Sequence, residues 1–292
     1  MQQIDEHTIT DEVIGRIADT TAPRVRQISE ALVRHLHAFI REIEPSQAEW
    51  RAGIDFLTAT GHMCDDKRQE FILLSDTLGA SMLVDAINHR FPENTTDTTV
   101  LGPFYVEGPH PFPLGANLAD GYDGLPMIVT GTVASDDGRP CAGAVVDVWH
   151  SDQDGYYDVQ HLDEQAMRGR FTTDADGRFW FWSTKPRWYP IPNDGPVGKM
   201  LEAQGRHPNR PSHVHFMIHA AGHETLVTHI FEAGDPYLDS DAVFGVKDSL
   251  IVPFVDLQPG VAADGTSMDR PYCHLNYDFV LKANNSEQAR PT

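Results

Sequence analysis

A chain of 292 residues with 43 acidic and 22 basic side chains carries a formal charge of −21 at pH 7, and a field of that sign argues against nucleic acid and anionic membrane surfaces as partners. A hydrophobic fraction of 40% can fill a sizeable core, and three widely separated cysteines, Cys64, Cys141 and Cys273, offer neither a disulfide framework nor a zinc knuckle. Met1 to Asp11 is polar, with no apolar run behind a basic start, and no segment approaches the ~20 apolar residues of a bilayer span, so a cytoplasmic protein is expected.

The first third predicts helices. Ile28, Leu32, Val33, Leu36, Phe39, Ile40 and Ile43 recur at helical spacing as one stripe, with Arg34, Arg41 and Glu42 off it. Pro45 stops that helix, and Ser46 with Glu49 has the pattern of a capping box opening the next. A third apolar segment, Phe71 to Ile87, presents Phe71, Leu74, Leu78, Met82 and Leu83 on one helical face, slightly weakened by Gly79. From about residue 95 the texture changes to short Val- and Thr-rich runs punctuated by Gly and Pro. Ile128–Val133 reads as a strand before the turn Asp136-Asp137-Gly138, and Ala144–Trp149 as another, ended by Asp152–Gly155. Phe171–Thr173 and Phe179–Trp182 flank Asp174–Gly177 as a hairpin, and Val214–Ala220 with Leu226–Phe231 makes a further pair. The expected fold is mainly β: an antiparallel β-sandwich over residues 101–282 behind an N-terminal α-helical domain over 1–100, with a disordered polar tail at 283–292. The apolar helical stripe is more than a small arm can bury alone and predicts a homodimer through that domain.

The sharpest local feature is Arg210-Pro211-Ser212-His213-Val214-His215. Residues two apart on a strand share a face, so His213 and His215 can aim two imidazoles at one point and hold a metal, or they are two satisfied histidines of a half-buried strand. A zinc hydrolase would need further His, Asp, Glu or Cys ligands, and the first acid after His215, Glu224, is too far along for a His-x-His-Glu iron site. Upstream stand tyrosines instead: Tyr157 in Gly155-Tyr156-Tyr157-Asp158, closing the strand that starts at Val145, and Tyr189 in Trp188-Tyr189-Pro190-Ile191-Pro192. A phenol with a pKa near ~10 ionises readily only with help, and a trivalent metal supplies it. Either tyrosine alone reads more readily as a core or surface aromatic with its hydroxyl hydrogen-bonded.

The order Gly155-Tyr156-Tyr157, then Tyr189 through Gly198, then Arg210 through His215 resembles that of the intradiol dioxygenases, and the resemblance covers nearly the whole chain. It implies one Fe(III) per chain held by Tyr157, Tyr189, His213 and His215, with Tyr189 displaceable and catalytic and Arg210 facing the substrate ring. It also implies that the helical first third forms the dimer. Within the family, Phe71 through Gly79, Thr99 through Phe104 and Val227-Thr228-His229 look most like the hydroxyquinol-cleaving branch. There Asp76 would accept from a third ring hydroxyl, and His229 stands where catechol cleavers commonly carry Gln. The same resemblance places Leu73, Leu101, Gly102, Pro103, Phe104 and Ile191 around an aromatic diol or triol, the partner being that substrate together with O2. The implied chemistry activates the substrate rather than oxygen: the diol loses its protons to hydroxide and Tyr189, and Arg210 stabilises charge on the ring. Catechol or chlorocatechol cleavage, a zinc hydrolase and a non-enzymatic sandwich module that binds a partner through its helices stand as alternatives.

Overall fold

The computed structural model describes residues 4–65, 68–162 and 164–284. They form two compact units, Met1–Ala59 and Thr60–Thr292, so the helices of the third apolar segment belong with the strands that follow.

The first unit is built on α1 (Ile9–Arg16), α2 (Pro23–Ile43) and most of α3 (Gln47–His62). Pro23 opens α2, where its fixed φ suits the first turn and its missing N–H costs nothing. Glu44, at φ 45° ahead of Pro45, ends it in the left-handed region. The capping box forms: the Ser46 N–H donates to Glu49 Oε2 at 2.8 Å and the Glu49 N–H to Ser46 Oγ at 3.3 Å. The stripe of α2 faces outward in this chain, with Ile28, Leu32, Leu36, Phe39, Ile40 and Ile43 each 40–63% exposed, and α2 buries no residue.

The third apolar segment is two helices, α4 (Glu70–Thr77) and α5 (Ala80–Asn88), because Gly79 adopts φ 72° and breaks it. Leu74 is buried as its spacing suggests, with Leu73 beside it, while Phe71, Leu78 and Leu83 are exposed.

The strands are β1 (Pro126–Ser135), β2 (Val145–His150), β3 (Arg168–Thr172), β4 (Arg178–Thr184), β5 (Tyr189–Pro190), β6 (Asn209–Arg210), β7 (His213–His219), β8 (Leu226–Glu232), β9 (Ile251–Val252), β10 (Val255–Leu257), β11 (Gly260–Val261), β12 (Ser267–Met268), β13 (Tyr272–Asn276) and β14 (Phe279–Leu281). Two short helices, α6 (Asp158–His161) and α7 (Pro196–Ala203), lie in the connections. One five-stranded sheet has the order β3-β2-β7-β8-β9 and the other β10-β13-β1-β14 with β4 also on β1. Alternate residues of both meet in a single buried cluster: Val146, Val148, Phe216 and Ile230 from the first with Val129, Phe179, Phe181 and Leu275 from the second.

Two expectations are corrected. The sheets are mixed rather than antiparallel: β1 runs parallel to β13 and β14, and β8 parallel to β9. Short turns join only antiparallel neighbours, and these partners are joined by long connections that let the chain re-enter in the same direction. The Asp174–Gly177 turn does not close a hairpin, because β3 pairs with β2 while β4 pairs with β1, so the turn carries the chain from one sheet to the other. Turn residues specify that the chain reverses, not which strand receives it. The expected disordered tail begins with two placed residues. Ala283 bridges to His223, and the Asn284 N–H donates to Gly222 O at 2.9 Å; the rest of that tail lies outside the described residues. Among the described residues no helix is long and apolar enough to cross a membrane.

Candidate metal centre

The centre is assembled from three places in the second unit. His213 and His215 come two apart from β7, which lies between β2 and β8. Tyr189 is on β5, directly across from Arg210 on β6. Tyr157 does not close a strand as expected. β2 ends at His150, Gly155 turns the chain at φ 89°, and Tyr157 is the N-cap of α6. A Cβ at 155 would press on Tyr189 Cβ at 3.0 Å and on the Trp188 carbonyl at 3.1 Å, so glycine allows the two tyrosine-bearing segments to touch.

Four donor atoms converge. Tyr157 OH lies 2.8 Å from His215 Nε2 and 3.4 Å from His213 Nε2, and it donates to Tyr189 OH at 3.3 Å. The two Nε2 atoms are 3.1 Å apart. His213 Nδ1 meets the Pro211 carbonyl at 2.6 Å; a carbonyl only accepts, so Nδ1 carries the hydrogen and Nε2 points a lone pair into the cluster. Burial, with the charge of Arg210 for His213 and the neighbouring imidazoles for His215, holds both rings well below the ordinary histidine value and therefore neutral. Burial likewise pushes both phenols up, more strongly at Tyr157, where Tyr189 adds to the effect and Arg210 opposes it. A buried knot of two neutral imidazoles and two phenols fits a polyvalent cation, which would satisfy the facing nitrogen lone pairs and bring the phenols down. The same donor set, rich in oxygen and nitrogen and free of sulfur, suits iron.

Aromatic rings frame the knot. Phe104 stacks on Tyr157 at 4.4 Å between centroids, and Trp149 stacks on His215 at 4.6 Å. The His229 ring lies 4.1 Å from that of His215, its Nδ1 bonded to the Thr99 hydroxyl and its Nε2 buried without a partner. The donor atoms of His213, His215 and His229 all lie within 4.8 Å of one another, which brings His229 to the centre itself. Gly102, at φ 78°, approaches so closely that a Cβ would lie 3.2 Å from His215 Cε1. Next to Tyr157, Asp158 accepts from Arg168 Nε at 2.9 Å and Nη2 at 2.6 Å, a pair buried on both sides that anchors the start of α6.

Of the other expected residues, Arg210 is buried beside the tyrosines, and burial works against its charge less than Asp241 and the two phenols support it. Asp76 is buried on α4. Burial pushes its carboxyl up, with Ser81 and Arg210 opposing and Asp241 adding to the rise. Leu73 and Ile191 are buried, whereas Leu101 and Pro103 are exposed on either side of Gly102. Sequence reasoning missed Arg168 and Asp241, and gave Trp149 and Thr99 no role of their own. Trp149 was visible only as the end of a strand, and Asp241 sits in an irregular segment with no periodicity to mark it.

The family model described as "Dioxygenase" matches residues 100–283, and "Catechol dioxygenase N terminus" matches residues 22–96. A 6-chlorohydroxyquinol 1,2-dioxygenase of Cupriavidus pinatubonensis is 55% identical over 283 residues, 96% of this chain and 99% of the relative. A hydroxyquinol 1,2-dioxygenase of a Rhizobium species is 47% identical over 280 residues, 94% of this chain and 95% of the relative. The crystal structure of hydroxyquinol 1,2-dioxygenase from Pseudomonas putida superposes with a TM-score of 0.89 at 51% identity, covering 96% of this chain and 99% of that one.

The scaffold also contains a histidine apart from the donors. His150 braces β2 against β4, its Nδ1–H donating to the Ser151 carbonyl at 2.6 Å and its Nε2 paired with Ser183 Oγ at 2.8 Å. Burial depresses its pKa from 6.5 to about 4 against the Ser151 hydrogen bond and nearby aspartates. The unfolded chain therefore binds a proton below about 6.5 that the folded chain refuses until about 4, so this contribution is present above that window and is lost as pH falls through it. The loss should reach on the order of 3 kcal/mol at most. Urea midpoints measured from pH 7 down to pH 4 should fall more steeply for the wild type than for His150→Gln; equal slopes would remove His150 as a source of acid sensitivity.

Proposed function

The chain belongs to the intradiol dioxygenase family, whose members depend on iron, and from that premise we propose that it opens the ring of hydroxyquinol with O2 between two adjacent hydroxyl-bearing carbons. Both oxygen atoms enter the product, 3-hydroxy-cis,cis-muconate, which tautomerises to maleylacetate. The observation that carries the reaction is the buried convergence of two phenols and two imidazoles. The substrate assignment is supported by the hydroxyquinol-cleaving relatives and by the buried carboxyl of Asp76.

Tyr157, Tyr189, His213 and His215 would hold one iron(III). Iron(III) held there would bind the diol as its dianion and so activate the substrate, rather than oxygen, for the reaction. The Pro211 carbonyl fixes the tautomer of His213, so that Nε2 is the atom that would ligate. The two tyrosines differ in their surroundings. Arg210 is the main influence opposing burial at Tyr189, while Tyr157 is also raised by its neighbour. Tyr189, across from Arg210, would be the phenolate that takes a proton from the incoming diol, with Arg210 supporting its charged form until it does. Arg210, always charged and buried, stabilises negative charge that develops on the ring. Phe104 and Trp149 cover the donors on two sides and keep water from them. Asp76 accepts from the third hydroxyl, and a catechol would leave that buried carboxyl without its partner.

The exposed stripe of α2, joined by Trp50, Ile54 and Leu57 on α3, is the face we assign to a second copy of the chain. Free Cys64, Cys141 and Cys273 suit a reducing compartment, the cytoplasm. Sedimentation at micromolar concentration should give a dimer; a species of 32.5 kDa alone would remove this assignment.

The iron-loaded protein should be red to purple from tyrosinate-to-iron charge transfer and should consume one O2 per hydroxyquinol. Tyr157→Phe should bleach or shift that band and abolish turnover, while Tyr237→Phe leaves colour unchanged. A colourless wild type holding stoichiometric zinc after growth in ample iron would overturn both metal and reaction. Asp76→Asn should move the ratio of kcat/KM for hydroxyquinol over catechol toward catechol by roughly 10-fold or more, through the unpaired-group penalty. An unchanged ratio would leave Asp76 a structural residue.

A further inference from the structure

Arg210 hangs on β6 by a flexible stem, and a guanidinium on such a stem does not aim itself. Its direction comes from Asp241: Arg210 Nε donates to Oδ1 at 3.0 Å and Nη2 to Oδ2 at 3.2 Å, with both side chains 2% exposed. This side-on grip occupies Nε and Nη2 and leaves the Nη1 corner outside the ion pair, with the Tyr189 phenol among the hydrogen-bonding neighbours of the guanidinium.

The carboxylate of Asp241 is held in turn. The Val243 N–H donates to Oδ1 at 3.4 Å and the Gly245 N–H to Oδ2 at 2.8 Å, so the chain wraps around its own side chain. That wrap takes Phe244 through φ 59°, a left-handed conformation that a bulky residue seldom adopts. The Phe244 ring is held by Arg206, whose guanidinium stacks on it at 4.9 Å and whose nitrogens also donate to Thr77 O at 2.7 Å and Ala242 O at 3.0 Å. Position 245 has no room for a side chain, since a Cβ there would lie 2.9 Å from Arg210 Nη2 and 3.2 Å from Asp241 Oδ2.

We infer that Asp241 is the positioning residue for Arg210. It turns the free corner of the guanidinium toward the reacting ring, and Gly245 keeps the backbone close enough to lock the carboxylate that does so. The inference rests on the role proposed above for Arg210. It differs from a purely structural ion pair in what it predicts: a pair that only ties β6 to residues 241–245 would lower stability, iron content and substrate affinity together. A pair that aims Arg210 affects the transition state more than the bound ground state.

Asp241→Asn in the iron-loaded protein should lower kcat for hydroxyquinol on the order of 10–100-fold, the scale of a misplaced group. Hydroxyquinol affinity measured calorimetrically without oxygen, and iron content, should stay near wild type. Removing a buried charge can itself prevent folding, so Gly245→Ala is the second variant; it keeps both charges and pushes on Nη2, and it should show the same split. In an Arg210→Ala background neither change should lower turnover further. Folded Asp241→Asn or Gly245→Ala with wild-type kcat, or with kcat and anaerobic affinity falling in parallel, would overturn the inference. Arg210→Ala turning over normally would instead overturn the role of Arg210 itself, whereas an impaired Arg210→Ala beside an unimpaired Asp241→Asn would overturn the positioning role alone.

Discussion

Two neutral imidazole nitrogens 3.1 Å apart, with a phenol oxygen 2.8 Å from one of them, are an unfavourable thing to build inside a dry core. The rest of the second unit can be understood as the means of holding that knot together. β7 supplies both imidazoles because a strand repeats every two residues, and it can do so only where strands pack on either side and hold it in place. The phenols come from segments with little regular structure, Tyr157 at a helix cap and Tyr189 on a two-residue strand, where short loops can approach the strand end. A cation would resolve the conflict. It would pair with the nitrogens, lower the phenols and turn four mutually unhelpful groups into one satisfied cluster.

The knot also explains why the surrounding charges occur in buried pairs. Arg168 with Asp158 and Arg210 with Asp241 are each about as buried as the donors. Replacing such pairs with apolar residues would often be neutral for stability, so stability is a poor account of their presence. Both sit at positions with a geometric task. Asp158 follows Tyr157 and fixes the start of α6, and Asp241 grips the arginine opposite Tyr189. The chain's negative surface and its two internal cations therefore play different parts, the first in keeping the protein dispersed and the second in shaping the potential at the donors.

What was legible in the sequence follows from what sequence periodicity can encode. The helices around Ile28–Ile43, the capping box at Ser46 and Glu49, and the antiparallel pair β7–β8 are local patterns, and each appears in the structure. The stripe of α2 was visible as apolar, though nothing local says whether its own chain covers it, and its own chain does not. Strand partners chosen across long connections were not legible. Asp174–Gly177 has the residues of a hairpin turn yet joins two sheets, and β13 and β14 lie beside β1 from far along the chain. The notch that receives them is marked by one residue, Gly131, where a Cβ would overlap the Tyr277 carbonyl and the Phe179 ring. The four donors were recognisable as motifs, while the roles of the groups packed around the site, Trp149 on His215, Arg168 on Asp158 and Asp241 on Arg210, were not. Orientation depends on three-dimensional neighbours that leave no spacing signal.

His213 and His215 share a strand and a face but are held by different physics. A carbonyl 2.6 Å from His213 Nδ1 fixes its tautomer and makes its Nε2 a better electron donor. His215 has no such partner; its Nδ1 is buried and unpaired, and its ring is clamped between the stacked indole of Trp149 and the ring of His229. Stacking resists tilting of the ring plane but sets no proton position, so His215 is the softer of the two donors. Tyr157 OH lies closer to His215 than to His213, at 2.8 against 3.4 Å. One imidazole of the centre is thus fixed by a hydrogen bond and the other by packing. The hydrogen bond sets both ring plane and tautomer at His213, whereas stacking sets the ring plane alone at His215.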